Sequence, residues 1–397
     1  MQHRAAPTLR PFLPSSLLPL LAALPALAMP QDDPPSSVLA RGEQPTETGA
    51  APQESSSRAW SKLATERYAG KQDDIFFLDA DTGWYVNGAG KIFKSTDGGA
   101  SWVEKLHQPG TYFRCITFLD AQHGFAGNIG PGYFPGVSDP KPLYRTADGG
   151  ESWSAVDSIE GAPVVGLCAL EVVREPFINA GVLDSRARLV AVGRVGGPAV
   201  FLWSDDLGAT WKQRDLGDSA AMAFDVHFHD FKRGFIAAGT DSNVSLSSAL
   251  ILATEDGGQT WKPTYRSTRP FELTWKISFP TRETGYVTVQ SYNPDPSASQ
   301  RFVAKTTDGG KSWSELPLVD DFKVRAFGVG FVDERRGWIG AMPGGFETTD
   351  GGASWTRVEM GAAVNKIRIV RRPDGSALGF AIGVEVHRLE LPAAGAK

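Results

Sequence analysis

The sequence predicts an all-β fold: a seven-bladed β-propeller of four-stranded antiparallel blades, closed by an N-terminal strand in the last blade. Three observations lead there. One turn motif recurs six times in register. A pair of short apolar strands around a polar turn precedes most copies. The segments flanking the repeats carry strand-like pieces that complete one another. Repetition at such a period is read first, because a single repeat cannot bury its apolar face alone.

The turn motif is Ser/Thr-x-Asp-x-Gly-x-Ser/Thr-Trp. Its copies begin at Ser95, Thr146, Ser204, Thr254, Thr306 and Thr348 and end in Trp102, Trp153, Trp211, Trp261, Trp313 and Trp355. The tryptophans are 51, 58, 50, 52 and 42 residues apart, which suits four strands plus their loops. Asp-Gly-Gly favours a tight turn: Gly supplies positive φ, and Asp accepts hydrogen bonds from nearby backbone N–H groups. The flanking hydroxyls satisfy further turn groups. The Trp opens the next strand with a large apolar face. Each copy therefore joins the third and fourth strands of a blade, and its Asp is structural.

The second pattern supplies strands one and two. FFLDADTGWYVNG from Phe76 matches ITFLDAQHGFAGN from Ile116, VHFHDFKRGFIAAG from Val226, ISFPTRETGYVTV from Ile277 and VGFVDERRGWIGA from Val329. KIFKS at Lys91 is a third strand. Blade three departs, with an insertion from about Glu171 to Ala187. After the last motif, VNKIRIVRRPDGSALGFAIGVEVHRLEL offers three strands and no motif. Near the start, SRAWSKL resembles the post-turn strand GASWVEKL, with Trp60 in the motif-Trp position. Placing it beside the strand near 384–389 leaves no open sheet edge. A six-bladed ring with a spare tail is the alternative.

The flanks set the compartment. Residues 1–28 carry a weakly basic start, an apolar run from Phe12 to Leu27 and the small-x-small ending Ala26-Leu27-Ala28, as in a secretory signal. The run is short for a bilayer span and contains Pro14, Pro19 and Pro25, so cleavage is favoured over a retained membrane anchor. Residues 29–56 are polar and Pro-rich and cannot bury enough surface to offset their ordering entropy. They are expected to form a disordered linker before a propeller over 57–393. The product is an exported protein, periplasmic or extracellular, expected as a monomer without a retained transmembrane segment. Among 397 residues, 21% are charged and the net charge is −5, which excludes the concentrated basic excess of a nucleic-acid binder. Cys115 and Cys168, both in apolar runs, are read as buried hydrophobes.

These blades resemble Asp-box (BNR-like) propellers. Within that group they are most similar to the photosystem II stability/assembly factor family. The resemblance rests on the compact F-x-D-x-x-x-G-W/F … T-x-DGG-x-S/T-W blade, the signal segment and one propeller without appended modules, over roughly 57–393. It implies a non-enzymatic factor without cofactor, binding a protein or peptide partner such as a membrane-protein assembly intermediate. Sialidases share the turn motif, which makes a glycoside hydrolase acting on extracellular glycans the alternative. Their Phe/Tyr-Arg-Ile-Pro string finds only Tyr112-Phe113-Arg114-Cys115 here, in the second blade and without Ile-Pro.

Two constellations stand out. Asp225, His227 and His229 alternate on one strand and share a face, an acceptable metal set. Satisfied buried histidines are the plainer reading, and no metal is expected. The connections between strands two and three are long from Asn128, Thr240 and Gln290, on the face opposite the turns. From that face Tyr112, Arg114, Trp275, Lys276, Arg325, Phe327, Asn365 and Lys366 enter their first strands. Cations among aromatics near the central opening suit an anionic or peptide partner, and solvated rim chemistry is the bland reading.

Overall fold

A computed structural model describes residues 59–66, 68, 70–179 and 182–393. The expected signal (1–28) and linker (29–56) lie outside them. All named elements are strands, arranged as seven four-stranded antiparallel sheets. Among the described residues no helix is long and apolar enough to cross a membrane. The inner strands of blades one to seven are Gln72–Phe77, Phe113–Phe118, Ala169–Asn179, Met222–Phe228, Glu272–Ser278, Arg325–Phe331 and Lys366–Arg371. In six sheets the strands follow chain order. Antiparallel hairpins then put the turns after strands one and three on one face. We call this the turn face and the opposite one the long-loop face.

The seventh sheet closes the ring. Ser61–Lys62 pairs antiparallel with Val386–Leu391, Ser61 opposite Arg388 and Lys62 opposite His387. Trp60 meets Trp338 of blade six edge-on, with ring centroids 5.7 Å apart. Its indole also lies over Gly379, where a Cβ would stand 2.9 Å from the ring. Seven blades, not six, is the architecture.

The six turns share one hydrogen-bond pattern. In the first, the Ser95 hydroxyl donates to Asp97 Oδ1 (2.8 Å) and accepts from the Gly99 N–H (2.8 Å). The Ser101 hydroxyl and N–H donate to the same carboxylate at 2.6 and 2.9 Å. These bonds, led by the Ser101 hydroxyl, hold the Asp97 carboxyl down at about 2. The carboxylates are thereby committed to their own turns.

Each turn is also tied to the preceding blade. The carbonyl of its first Gly accepts from a side chain across the seam: Gly98 from Arg388, Gly149 from Trp84, Gly257 from Arg188, Gly309 from Arg233, and Gly351 from Tyr286 and Lys305. The exception is blade three, where Leu207 stands in place of that Gly. Ring stacking fills the seams further in. Trp84 lies on Phe118 at 3.6 Å, and Tyr286 on Phe331 at 3.6 Å.

The blade-three insertion forms a hairpin rather than a loop. Ala169–Asn179 and Val182–Gly193 pair in unbroken register from Ala169 opposite Val192 to Asn179 opposite Val182. Its base is pinned on both sides. Arg174 donates to the Leu119 carbonyl of blade two, and Glu175 accepts from the Phe231 N–H of blade four at 2.6 Å.

Candidate functional site

The inner strands align residue by residue. DDIFF, RCITF, FDVHF, WKISF and FGVGF occupy equivalent positions from Asp73, Arg114, Phe224, Trp275 and Phe327. In each of these five strands the register shifts by a β-bulge around that position. A bulge leaves a residue unpaired and re-aims its side chain. Here it turns five side chains toward the ring axis.

They meet there as a plug. Trp275 stacks on Phe224 at 4.8 Å and stands 6.3 Å from the Phe327 ring. Its indole N–H donates to Asn365 Oδ1 at 2.9 Å, and the Asn365 amide donates to the Asp73 carbonyl at 2.8 Å. Arg114 pairs with Asp73 at 2.5 Å and lies 5.6 Å from the Trp275 centroid. The Lys71 ammonium sits 4.6 Å from the Phe327 centroid. Burial works against the Arg114 charge, but Asp73 beside it holds the guanidinium protonated.

A second tier lies toward the turn face. Asp74 accepts from the Ile116 N–H of blade two (3.1 Å) and from Arg368 of blade seven. Asp225 likewise accepts from the Ile277 N–H of blade five (3.0 Å) and from Lys366 (2.9 Å), with Lys276 at 3.8 Å. Neighbouring inner strands share no ladder, so these carboxylates satisfy backbone donors that would otherwise be buried unpaired. Burial opposes the Asp225 charge, yet Lys366 and Lys276 hold its carboxyl below the ordinary range. Below this tier a cavity of about 230 Å³ opens, lined in part by Glu171, His227, Ser278 and Arg371.

Several expectations need correcting in position. Arg114, Trp275, Lys276, Phe327 and Asn365 are buried, so they are not solvated rim groups. Five of the eight are therefore plug or second-tier residues, held by protein partners. Lys366 lines the turn-face cavity. Tyr112 and Arg325 remain half-buried. Tyr112 stacks on Phe134 at 4.5 Å, and the Arg325 guanidinium lies 4.9 Å from the Tyr292 centroid. Sequence reading passed over Asp73, Lys71 and Phe224, although the alignment of inner strands places Asp73 and Phe224 level with Trp275.

The long connection after Asn128 folds inward against this end of the ring. Arg194 donates to the carbonyls of Ile129 (3.0 Å) and Pro131 (3.1 Å), and Tyr144 donates to Asp139 at 2.6 Å. Asp225 and His227 are engaged elsewhere, and among the described residues the buried His229 Nε2 has no hydrogen-bond partner. His227 Nδ1 meets Glu171 at 2.9 Å, and burial with nearby cations pushes His229 down to about 3. Among the described residues no group of three His, Cys, Asp or Glu could hold a metal. Cys115 and Cys168 are buried free thiols.

No protein-family model matches the chain. A 72-residue stretch is 38% identical to the photosystem II assembly lipoprotein Ycf48 of Synechococcus sp. (strain CC9902), covering 16% of this chain and 21% of that protein. The match thus spans about a fifth of the curated relative's length. Among solved structures, Ycf48 bound to a D1 peptide superposes with a TM-score of 0.58 at 18% identity, over 84% of this chain and 96% of that one. Ycf48 from Cyanidioschyzon merolae gives 0.56 at 16% identity, over 83% and 98%. A GH74 enzyme of Niastella koreensis gives 0.51 at 17% identity, over 80% of this chain and 52% of the enzyme. The chain is, in fold, a seven-bladed propeller similar to the photosystem II assembly-factor propellers.

Proposed function

We propose that this protein is an exported, non-enzymatic assembly factor that holds a peptide segment of a membrane-protein intermediate on its long-loop face. The observation that carries the reading is the plugged centre. A two-carboxylate glycosidase needs a pair of acids facing an open cleft. Here Asp73, Asp74 and Asp225 are each committed to a cation. What the ring offers a partner is a broad surface fixed in shape, and fixed surfaces bind with a smaller ordering cost. Arg325 over Tyr292 and Tyr112 over Phe134 lie at the mouth of that surface, a mixture suited to acidic or aromatic peptide segments. The similarity to a propeller bound to a D1 peptide supports the partner class.

The test is capture from detergent-solubilised envelope extract by the immobilised chain, with mass-spectrometric identification of what is retained. A membrane protein should be enriched, and the enrichment should fall in high salt and in Arg325→Glu. A parallel incubation with xyloglucan should release no sugar. Sugar release, or retention of no membrane protein at low salt, would contradict the reading.

A further inference from the structure

The seam between blades two and three departs from the others. At five turns a side chain of the preceding blade donates to the carbonyl of the first Gly. At the blade-three turn that carbonyl belongs to Leu207, and no described residue donates to it. In blades one and five, a cation opposite the strand-two aromatic reaches across the seam: Lys94 to Glu151, and Lys305 to the Gly351 carbonyl. Arg145 holds the equivalent place opposite Phe125. It is exposed, and its side chain forms no hydrogen bond or ion pair among the described residues.

Leu207 itself is unusual twice over. Its φ is 60°, in the left-handed region that its five glycine counterparts occupy at 70–74°. A side chain there costs roughly 1 kcal/mol or more. It is also 58% exposed. A strained residue that leaves an apolar side chain in water argues for a use other than stability. Between Leu207, Phe125 and Trp153 the seam opens into a groove of about 560 Å³ on the turn face. That lies within the range of roughly 300–1,000 Å³ typical of ligand pockets. Beside it, the Ser158 hydroxyl of blade two donates to the Ala209 carbonyl at 2.8 Å.

We propose that this groove is a second docking site, for a peptide of a partner protein that carries an apolar side chain next to a carboxylate. Each unused group specifies one part of the occupant. The Leu207 carbonyl takes a peptide N–H. The Arg145 guanidinium takes the carboxylate, in a charge-assisted pair. Leu207, Phe125 and Trp153 enclose the apolar side chain. The neighbouring acid, Asp148, is held by its own turn through Thr146 and Ser152, so it does not compete for Arg145. The site is on the face opposite the one proposed above, and it stands or falls separately.

The experiment selects binders of the full chain from a displayed library of random short peptides. The winning synthetic peptide is then titrated by fluorescence polarisation against wild type, Arg145→Glu and Leu207→Gly, alongside melting curves and hydrogen-exchange footprints. Winners should pair Leu, Ile or Phe with Asp, Glu or a terminal carboxylate, and should protect 145–153 and 205–211. Arg145→Glu should weaken binding by about tenfold or more, as for loss of a hydrogen bond between charged groups. Leu207→Gly should weaken it without lowering the melting temperature, since the substitution relieves the backbone. No enriched motif, or affinity unchanged in both variants, would overturn the proposal. So would a footprint elsewhere, or a dimer dispersed by Arg145→Glu, which would put a second copy in the groove. Envelope capture that survives both variants leaves the long-loop reading intact.

Discussion

Arg114 and Asp73 form an ion pair whose side chains are 2% and 0% exposed, on the axis of the ring. Removing one partner of such a pair leaves a buried charge without compensation and costs about 3–5 kcal/mol. Arg114→Ala should therefore shift the urea midpoint strongly downward. Arg114→Met combined with Asp73→Leu should recover much of that loss, because neither charge then remains to be desolvated. A single variant with an unchanged midpoint would mean that the guanidinium is solvated. At the start of an inner strand the sequence places a cation near the opening, but not its depth. Depth depends on the bulge that follows and on what the other blades send inward. Asp73 and Phe224 could have been found by aligning the strands. Lys71 precedes the aligned positions, and its place over Phe327 emerges only when the ring is closed.

The closing strand is the shortest element with the largest topological effect. Ser61–Lys62 forms only two residue pairs with Val386–Leu391, yet it covers the outer edge of blade seven and carries Trp60 onto Trp338. Trp60 is half-buried, so its loss costs part of the roughly 3–5 kcal/mol of truncating a fully buried aromatic. Deleting residues 57–65 should lower the melting temperature by roughly 5–10 °C or more, with the strand edge exposed as well. An unchanged melting curve would show that the ring closes without the N-terminal strand. This closure was readable because SRAWSKL sets Trp60 as the post-turn strand GASWVEKL sets Trp102. The turns were readable for a related reason: each is a local hydrogen-bonded unit whose Ser/Thr, Asp and Gly have fixed spacing. The insertion of blade three was visible as a break in the repeat. Its continuation as a paired hairpin was not, since nothing local in 171–187 fixes a register over eleven pairs. That register continues the pairing of the blade's first two strands, and Leu119 and Phe231 of the neighbouring blades grip the hairpin base.

The whole molecule is a ring whose centre is spent on holding itself together. Aromatic rings, two buried carboxylate clusters and their cations close the axis, and at five of six turns a side chain of the preceding blade holds the carbonyl of the first Gly. On the proposed reading, partners are taken by the two outer faces. The long connections after Asn128, Thr240 and Gln290 elaborate one of them, and surface loops on a rigid scaffold are where binding residues concentrate. Site-specific photo-crosslinking in envelope preparations tests this most directly. A photoreactive residue is placed at exposed Ser138, Ser242 or Ser297 on the long loops, and at exposed Lys262 on an outer strand as control. Binding on the long-loop face predicts adducts to one membrane protein from the long-loop positions, mapped by mass spectrometry to a short segment of that protein, and none from Lys262. Equal labelling from all four positions, or no membrane-protein adduct from any long-loop position, would contradict it.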